Sequence, residues 1–168
     1  MSEGPSKKPK PEFPPLLAAG LHQMDLMALY ALTVGDFKAS ARRPLLWSSL
    51  MTFCEELRDE GVLPCRLWLD GSFLTEKIEP DDVDLVVEME SSLYDRLTPT
   101  SRAFVNSLSS QPLHFEPRYL HTFLLINYPV FHLDYAFSLE VRKNWEYDFG
   151  HALLTKTPKG IAILEVGP

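Results

Sequence analysis

Two short segments limit what this chain can fold into more than any other part of it. Leu67-Trp68-Leu69 is apolar and runs straight into Asp70-Gly71-Ser72-Phe73. Beyond a turn marked by Pro80, Asp81-Asp82-Val83-Asp84 opens a second apolar run, Leu85-Val86-Val87. The pattern predicts two strands joined by a tight loop. Side chains alternate faces along a strand. Asp82 and Asp84 are therefore expected to project from one face at the start of a buried strand. Like charges held that close repel unless a cation lies between them. Mg²⁺ takes oxygen ligands and is often held by one or two carboxylates plus substrate phosphates, and Mn²⁺ suits the same donors.

The loop supplies the complementary half of such a site. Gly71 lets the backbone come close to a phosphate. Ser72, at the start of a helical turn, offers a hydroxyl and backbone N–H groups to an anion. Lys77 is placed to neutralise a triphosphate. Farther along, Val130–Phe137 alternates, with Phe131, Leu133, Tyr135 and Phe137 on one face and His132, Asp134 and Ala136 on the other. This reads as a further strand. Beside the first pair it would bring in Asp134 as a third metal ligand and a group to assist deprotonation of an acceptor hydroxyl.

Elsewhere the spacing predicts a helix over Gly20–Leu32 and a second helix through Leu45–Leu57, with Ser40 as candidate N-cap and Gly61 as the stop. A helix over Ser92–Leu108 is interrupted by Pro99. Thr122–Asn127 reads as a strand, and Lys159–Leu164 as an edge strand or docking tail. The resulting order, helix, helix, strand, strand, helix, strand, strand and a closing segment, predicts an α+β fold: a small mixed sheet with helices packed on it. Residues 1–15, polar and rich in lysine and proline, read as a disordered leader, and 16–168 as a single domain whose motif core spans 66–137.

Composition excludes several classes. The net charge is −7, and between Phe53 and Asp95 only Arg58, Arg66 and Lys77 are basic. Duplex DNA demands a basic surface. No apolar run approaches the length of a membrane span. The two cysteines, Cys54 and Cys65, lack metal-ligand spacing and read as buried thiols of a cytoplasmic protein. The histidines, His22, His114, His121, His132 and His151, form no zinc pair and no acyl-transfer triad. His132 is placed to hydrogen-bond Asp134. Arg42-Arg43 reads as a solvated pair, and the Trp145–Phe149 aromatics as an anchor into the core.

Leu69-Asp70-Gly71-Ser72, then Asp82-Val83-Asp84-Leu85-Val86-Val87, then Leu133-Asp134-Tyr135, resemble the nucleotidyltransferase fold of the DNA polymerase β superfamily. With Trp145, Phe149-Gly150 and Lys159-Gly160-Ile161 the sequence looks like a group of short bacterial nucleotidyltransferase-like proteins. The resemblance implies a Mg²⁺- or Mn²⁺-dependent enzyme that moves an NMP from an NTP to an acceptor hydroxyl on protein, tRNA or a small molecule. It also implies a protein partner and a toxin–antitoxin or phage-defence setting. Larger members of the superfamily carry a separate acceptor-gripping domain, for which little chain remains here. A catalytically inactive binding module on the same fold is the alternative.

Overall fold

The computed structural model describes residues 11–109 and 119–167; residues 1–10 of the expected leader, and His114, lie outside them. The fold is α+β. Five strands form one mixed sheet: β1 (Gly20–Met24), β2 (Cys65–Asp70), β3 (Val83–Glu90), β4 (Leu120–Asn127) and β5 (Gly160–Val166), in the order β1-β5-β2-β3-β4. The helices are α1 (Leu26–Tyr30), α2 (Arg42–Asp59), α3 (Ser91–Tyr94), α4 (Pro99–Ser107) and α5 (Tyr135–Phe149). β2 runs antiparallel to β3 and β5, whereas β1–β5 and β3–β4 are parallel pairs.

Alternation along the strands gives the sheet two apolar faces. Leu67, Leu69, Leu85, Val87 and Leu164 share a core with Leu46, Leu50, Phe53 and Leu57 of α2 and Val105 of α4. Trp68, Val86, Ile161 and Ile163 point to the other face, beneath Trp145 and Phe149 of α5. Glu88 is buried on that second face. It accepts hydrogen bonds from Trp68 Nε1 at 2.7 Å, Asn127 Nδ2 at 2.6 Å and the Arg142 guanidinium, so the carboxylate ties α5 to the sheet with its charge compensated.

Helix ends follow local chemistry. Ser40 Oγ accepts the Arg43 N–H at 3.0 Å, so it caps α2 although the helix itself begins two residues later. Gly61, at φ +71°, turns the chain out of α2, and Val62 N–H returns to the Leu57 carbonyl. Pro99 begins α4 behind a Thr98 cap, which divides the predicted 92–108 helix into α3 and α4.

Three expectations fail. The helix over Gly20–Leu32 is a strand up to Met24; α1 starts only after Asp25, whose carboxylate caps it through Ala28 N–H at 2.8 Å. The strand over Val130–Phe137 is a turn leading into α5; side chains such as Phe131 (99% exposed) and Leu133 (98%) meet no second layer, so the alternation has nothing to bury. The closing segment is β5, flanked by β1 and β2, and is an interior strand rather than an edge. Residues 11–15 are exposed yet hydrogen-bonded: Glu76 N–H donates to the Pro14 carbonyl, and Glu12 accepts from the N–H groups of Leu154 and Thr155. Cys54 and Cys65 are free and buried, and burial pushes their thiols up to about 11 and about 12. Among the described residues no helix is long and apolar enough to cross a membrane.

Candidate functional site

The register of the sheet decides which side chains meet. Asp70 ends β2 directly opposite Asp84 of β3, and Asp84 pairs in turn with His121 of β4. Lys159 immediately precedes β5 and reaches Asp70. Lys159, Asp70, Asp84 and His121 thus form a row across four neighbouring strands at one end of the sheet. They line a cleft of about 800 Å³ together with Gly71, Ser72, Lys77, Asp82, Phe123 and Trp145.

Asp84 is held from two sides. His121 Nδ1 lies 3.0 Å from its Oδ1, and Gly71 lies against its Oδ2. At φ +80° Gly71 has a backbone that L side chains avoid, and a Cβ there would fall on that oxygen. The hydrogen bond to Asp84 raises the His121 pKa above its ordinary value; partial burial acts against it.

Asp70 is 5% exposed. Its Oδ2 accepts from Lys159 Nζ at 2.7 Å, and its buried Oδ1 makes no hydrogen bond with any described group. Burial pushes the carboxyl up to about 6, against the pull of the Lys159 ammonium and the Gly71 N–H. A buried oxygen without a hydrogen-bond partner is costly, and it adds to the cost of keeping Asp70 ionised at the edge of the cleft.

The loop after Gly71 is fastened by a residue expected to be solvated. Arg43 is fully buried. Its guanidinium donates to the carbonyls of Thr33 (2.7 Å), Phe73 (2.8 Å), Thr75 (2.7 Å) and Lys77 (2.6 Å), and stacks 3.6 Å from the Phe37 ring centroid. Burial lowers its pKa to about 10, and the charge of Glu79 acts against that shift. Arg42 extends the same clamp, donating to the Asp81 carbonyl and lying over the Tyr119 ring. Glu79 closes it, accepting from Ser40 Oγ and the N–H groups of Ala41 and Arg42 at the start of α2.

Five of the six predicted site residues meet in the cleft: Gly71, Ser72, Lys77, Asp82 and Asp84. Ser72 starts a 3₁₀ turn, Ser72–Leu74, too short to supply a helix dipole, which leaves its hydroxyl and local N–H groups. Lys77 Nζ is paired with Asp81 Oδ2 at 2.8 Å. Asp134 is the correction. It occupies the N-cap position of α5, more than half exposed, where its N–H meets His132 Nδ1 at 3.1 Å. The 15 residues of α5 span roughly 22 Å, and it is the far end, at Trp145 and Phe149, that reaches the cleft. Asp134 therefore does not line the cleft with Asp82 and Asp84. The signal that placed it, strand alternation, belonged to a turn.

Sequence reasoning missed Asp70, His121 and Lys159 as site residues. Asp70 stood inside the motif; only cross-strand register reveals that it faces Asp84. Among the described residues no three of His, Cys, Asp and Glu are gathered into a ready metal cage. The donors present still suit a hard divalent ion, since two carboxylates completed by substrate phosphates suffice. Asp82 and Asp84 at the cleft would hold such a cation, and the Gly71 backbone pressed against Asp84 leaves room for a phosphate beside it.

Residues 11–165 match the family described as "Family of unknown function (DUF6932)". No curated protein and no solved structure matches the chain.

Proposed function

The chain belongs to DUF6932, and from its cleft we propose that it is a Mg²⁺-dependent nucleotidyltransferase of the DNA polymerase β type, moving an NMP from an NTP to an acceptor hydroxyl. The observation that carries this reading is the cleft end of the β2–β3 hairpin, where Gly71, Ser72, Asp82 and Asp84 converge.

Asp82 and Asp84 would hold Mg²⁺, with Mn²⁺ as a substitute. The ion, when bound, supplies charge neutralisation at the transferring phosphate. Gly71 and Ser72 receive the phosphates, and Lys77, released from Asp81, adds positive charge to the leaving pyrophosphate. His121 is a positioning residue: by fixing Oδ1 of Asp84 it sets the direction in which the other oxygen points. In the transfer the acceptor hydroxyl releases its proton to water, its oxygen bonds to the α-phosphorus, the bond from that phosphorus to the bridging oxygen breaks, and pyrophosphate departs. The acceptor hydroxyl belongs to a protein, an RNA or a small molecule. A protein partner and a toxin–antitoxin or phage-defence role are proposals from the same resemblance.

Incubating the protein with each α-labelled NTP and candidate acceptors, followed by mass spectrometry of the products, tests this reading. Asp82→Ala with Asp84→Ala should abolish labelling while circular dichroism stays unchanged. Labelling at the wild-type rate in that variant would refute the assignment. One observation favours a second reading, a non-catalytic binding module in a complex: β4 presents His121, not a third carboxylate, opposite Asp84. A Mg²⁺-dependent thermal shift with NTP supports the enzyme; no shift with any nucleotide, beside a stably co-purifying protein, supports the module.

A further inference from the structure

The cleft is charged along its floor and aromatic along one wall. Phe123 follows His121 by two residues on β4 and shares its face; the two ring centroids are 4.6 Å apart. Trp145, reaching in from α5, lies 4.4 Å from Phe123 and meets Phe149 edge-on at 5.5 Å. A closed core cluster would bury all three. Phe149 is buried, but Phe123 and Trp145 are only half-buried, and both line the cleft. Their exposed surface therefore belongs to the site as well as to the packing of α5.

The position of this wall narrows its use. It begins next to His121, whose ring nitrogen touches Asp84, so it stands just beyond the carboxylates. A ligand whose phosphate lies at Gly71 and Asp84 would carry its flat ring to the wall at the end of a sugar. Stacking on aromatic faces is a general source of nucleobase affinity, because every base has a π-face. Phe123 and Trp145 pack against each other, 4.4 Å apart and tilted by 41°, and the two fused rings of the indole overlap a larger π-face more fully than a smaller one. Asp148 and His151 also line the cleft and provide polar groups for a ring edge.

We propose that Trp145, backed by Phe123, forms a nucleobase-stacking subsite that prefers purines over pyrimidines. The proposal deepens the nucleotidyl-transfer reading and rests on it for the placement of the phosphates, yet its ring contacts are testable without phosphate or metal.

The full chain is titrated with adenosine, guanosine, cytidine and uridine and followed by NMR. Adenosine and guanosine should bind about tenfold more tightly than the pyrimidine nucleosides. The adenosine H2 and H8 signals should move upfield and show cross-relaxation to the Trp145 indole. Trp145→Leu should weaken adenosine binding about tenfold, and Trp145→Tyr should restore most of it. Because Trp145→Leu also removes contacts that hold α5, the wild-type cross-peaks decide the matter independently of that variant. Equal affinity for all four nucleosides, or purine binding without cross-relaxation to Trp145 or Phe123, overturns the subsite and leaves the transfer reading standing. Purine stacking on Trp145 in a protein whose Asp82→Ala, Asp84→Ala variant still takes up Mg·ATP like the wild type supports the subsite and sinks the transfer reading.

Discussion

At Gly71 a φ of +80° and the carboxylate of Asp84 together leave no room for a side chain. Gly71→Ala must shift both the turn and Asp84. Left-handed strain of this kind costs of order 1–3 kcal/mol, and denaturant unfolding should register that loss. The same variant should lose any thermal shift produced by Mg·NTP; a full shift would separate Gly71 from the site. Asp70 makes a pH-dependent prediction. Its pKa of about 6 in the folded protein lies above the ordinary 3.8. Between those values the unfolded chain has released a proton that the folded one keeps, so the folded state is favoured less as pH rises. The contribution is fully present below about pH 4 and lost by the time pH has passed 6, on the order of 2–3 kcal/mol in total. Asp70→Asn should flatten this part of the pH–stability curve, measured by urea denaturation from pH 4 to 7. An unchanged slope would show that Asp70 titrates normally. Gly71, Ser72, Asp82 and Asp84 stand close in sequence on either side of a turn and line one cleft, although Asp82 lies one residue ahead of β3 and strand alternation does not place it. Asp70 and His121 become partners of Asp84 only through register with other strands, which no local pattern encodes.

Among the elements, the loop between β2 and β3 carries the site but has little regular structure of its own, and Arg43 of α2 holds it. Three of the carbonyls Arg43 reaches, those of Phe73, Thr75 and Lys77, lie in that loop. Arg43→Met would keep most of the stem's packing and strip the donors from buried carbonyls. A cost of about 3–5 kcal/mol is expected, as for other broken buried charge networks. Hydrogen exchange should accelerate over 73–77 before the rest of the sheet responds; uniform exchange, with stability near wild type, would contradict the clamp. The Arg42-Arg43 dipeptide looks solvated because side-chain charge usually is. The carbonyls that make burial tolerable come from a segment some thirty residues away in sequence. Gly20–Leu32 is legible as apolar, yet only the pairing of Gly20–Met24 with β5 makes its first part a strand.

At the scale of the whole molecule, two apolar segments exchange the roles their sequences suggest. Val130–Phe137 alternates like a strand but stands in solvent, with Phe131 and Leu133 almost fully exposed. Lys159–Leu164 looks like a tail, yet as β5 it joins β1 to β2, with Ile163 paired to Gln23 on one side and Trp68 on the other. Hydrophobicity marks both segments; only the topology of the sheet says which one has neighbours. Stability should therefore be distributed against the sequence pattern. Phe131→Ser with Leu133→Ser removes two large apolar side chains that lose almost no water on folding, and it should change stability by no more than about 0.5 kcal/mol. Ile163→Pro deletes a single N–H and a buried side chain from an interior strand, and it should abolish cooperative unfolding, since proline is confined to edges and bulges of sheets. Parallel thermal melts of the two variants test the strand order directly. A severe loss in the Phe131/Leu133 variant, or a normal melt for Ile163→Pro, would mean that β5 is not the strand that closes the sheet between β1 and β2.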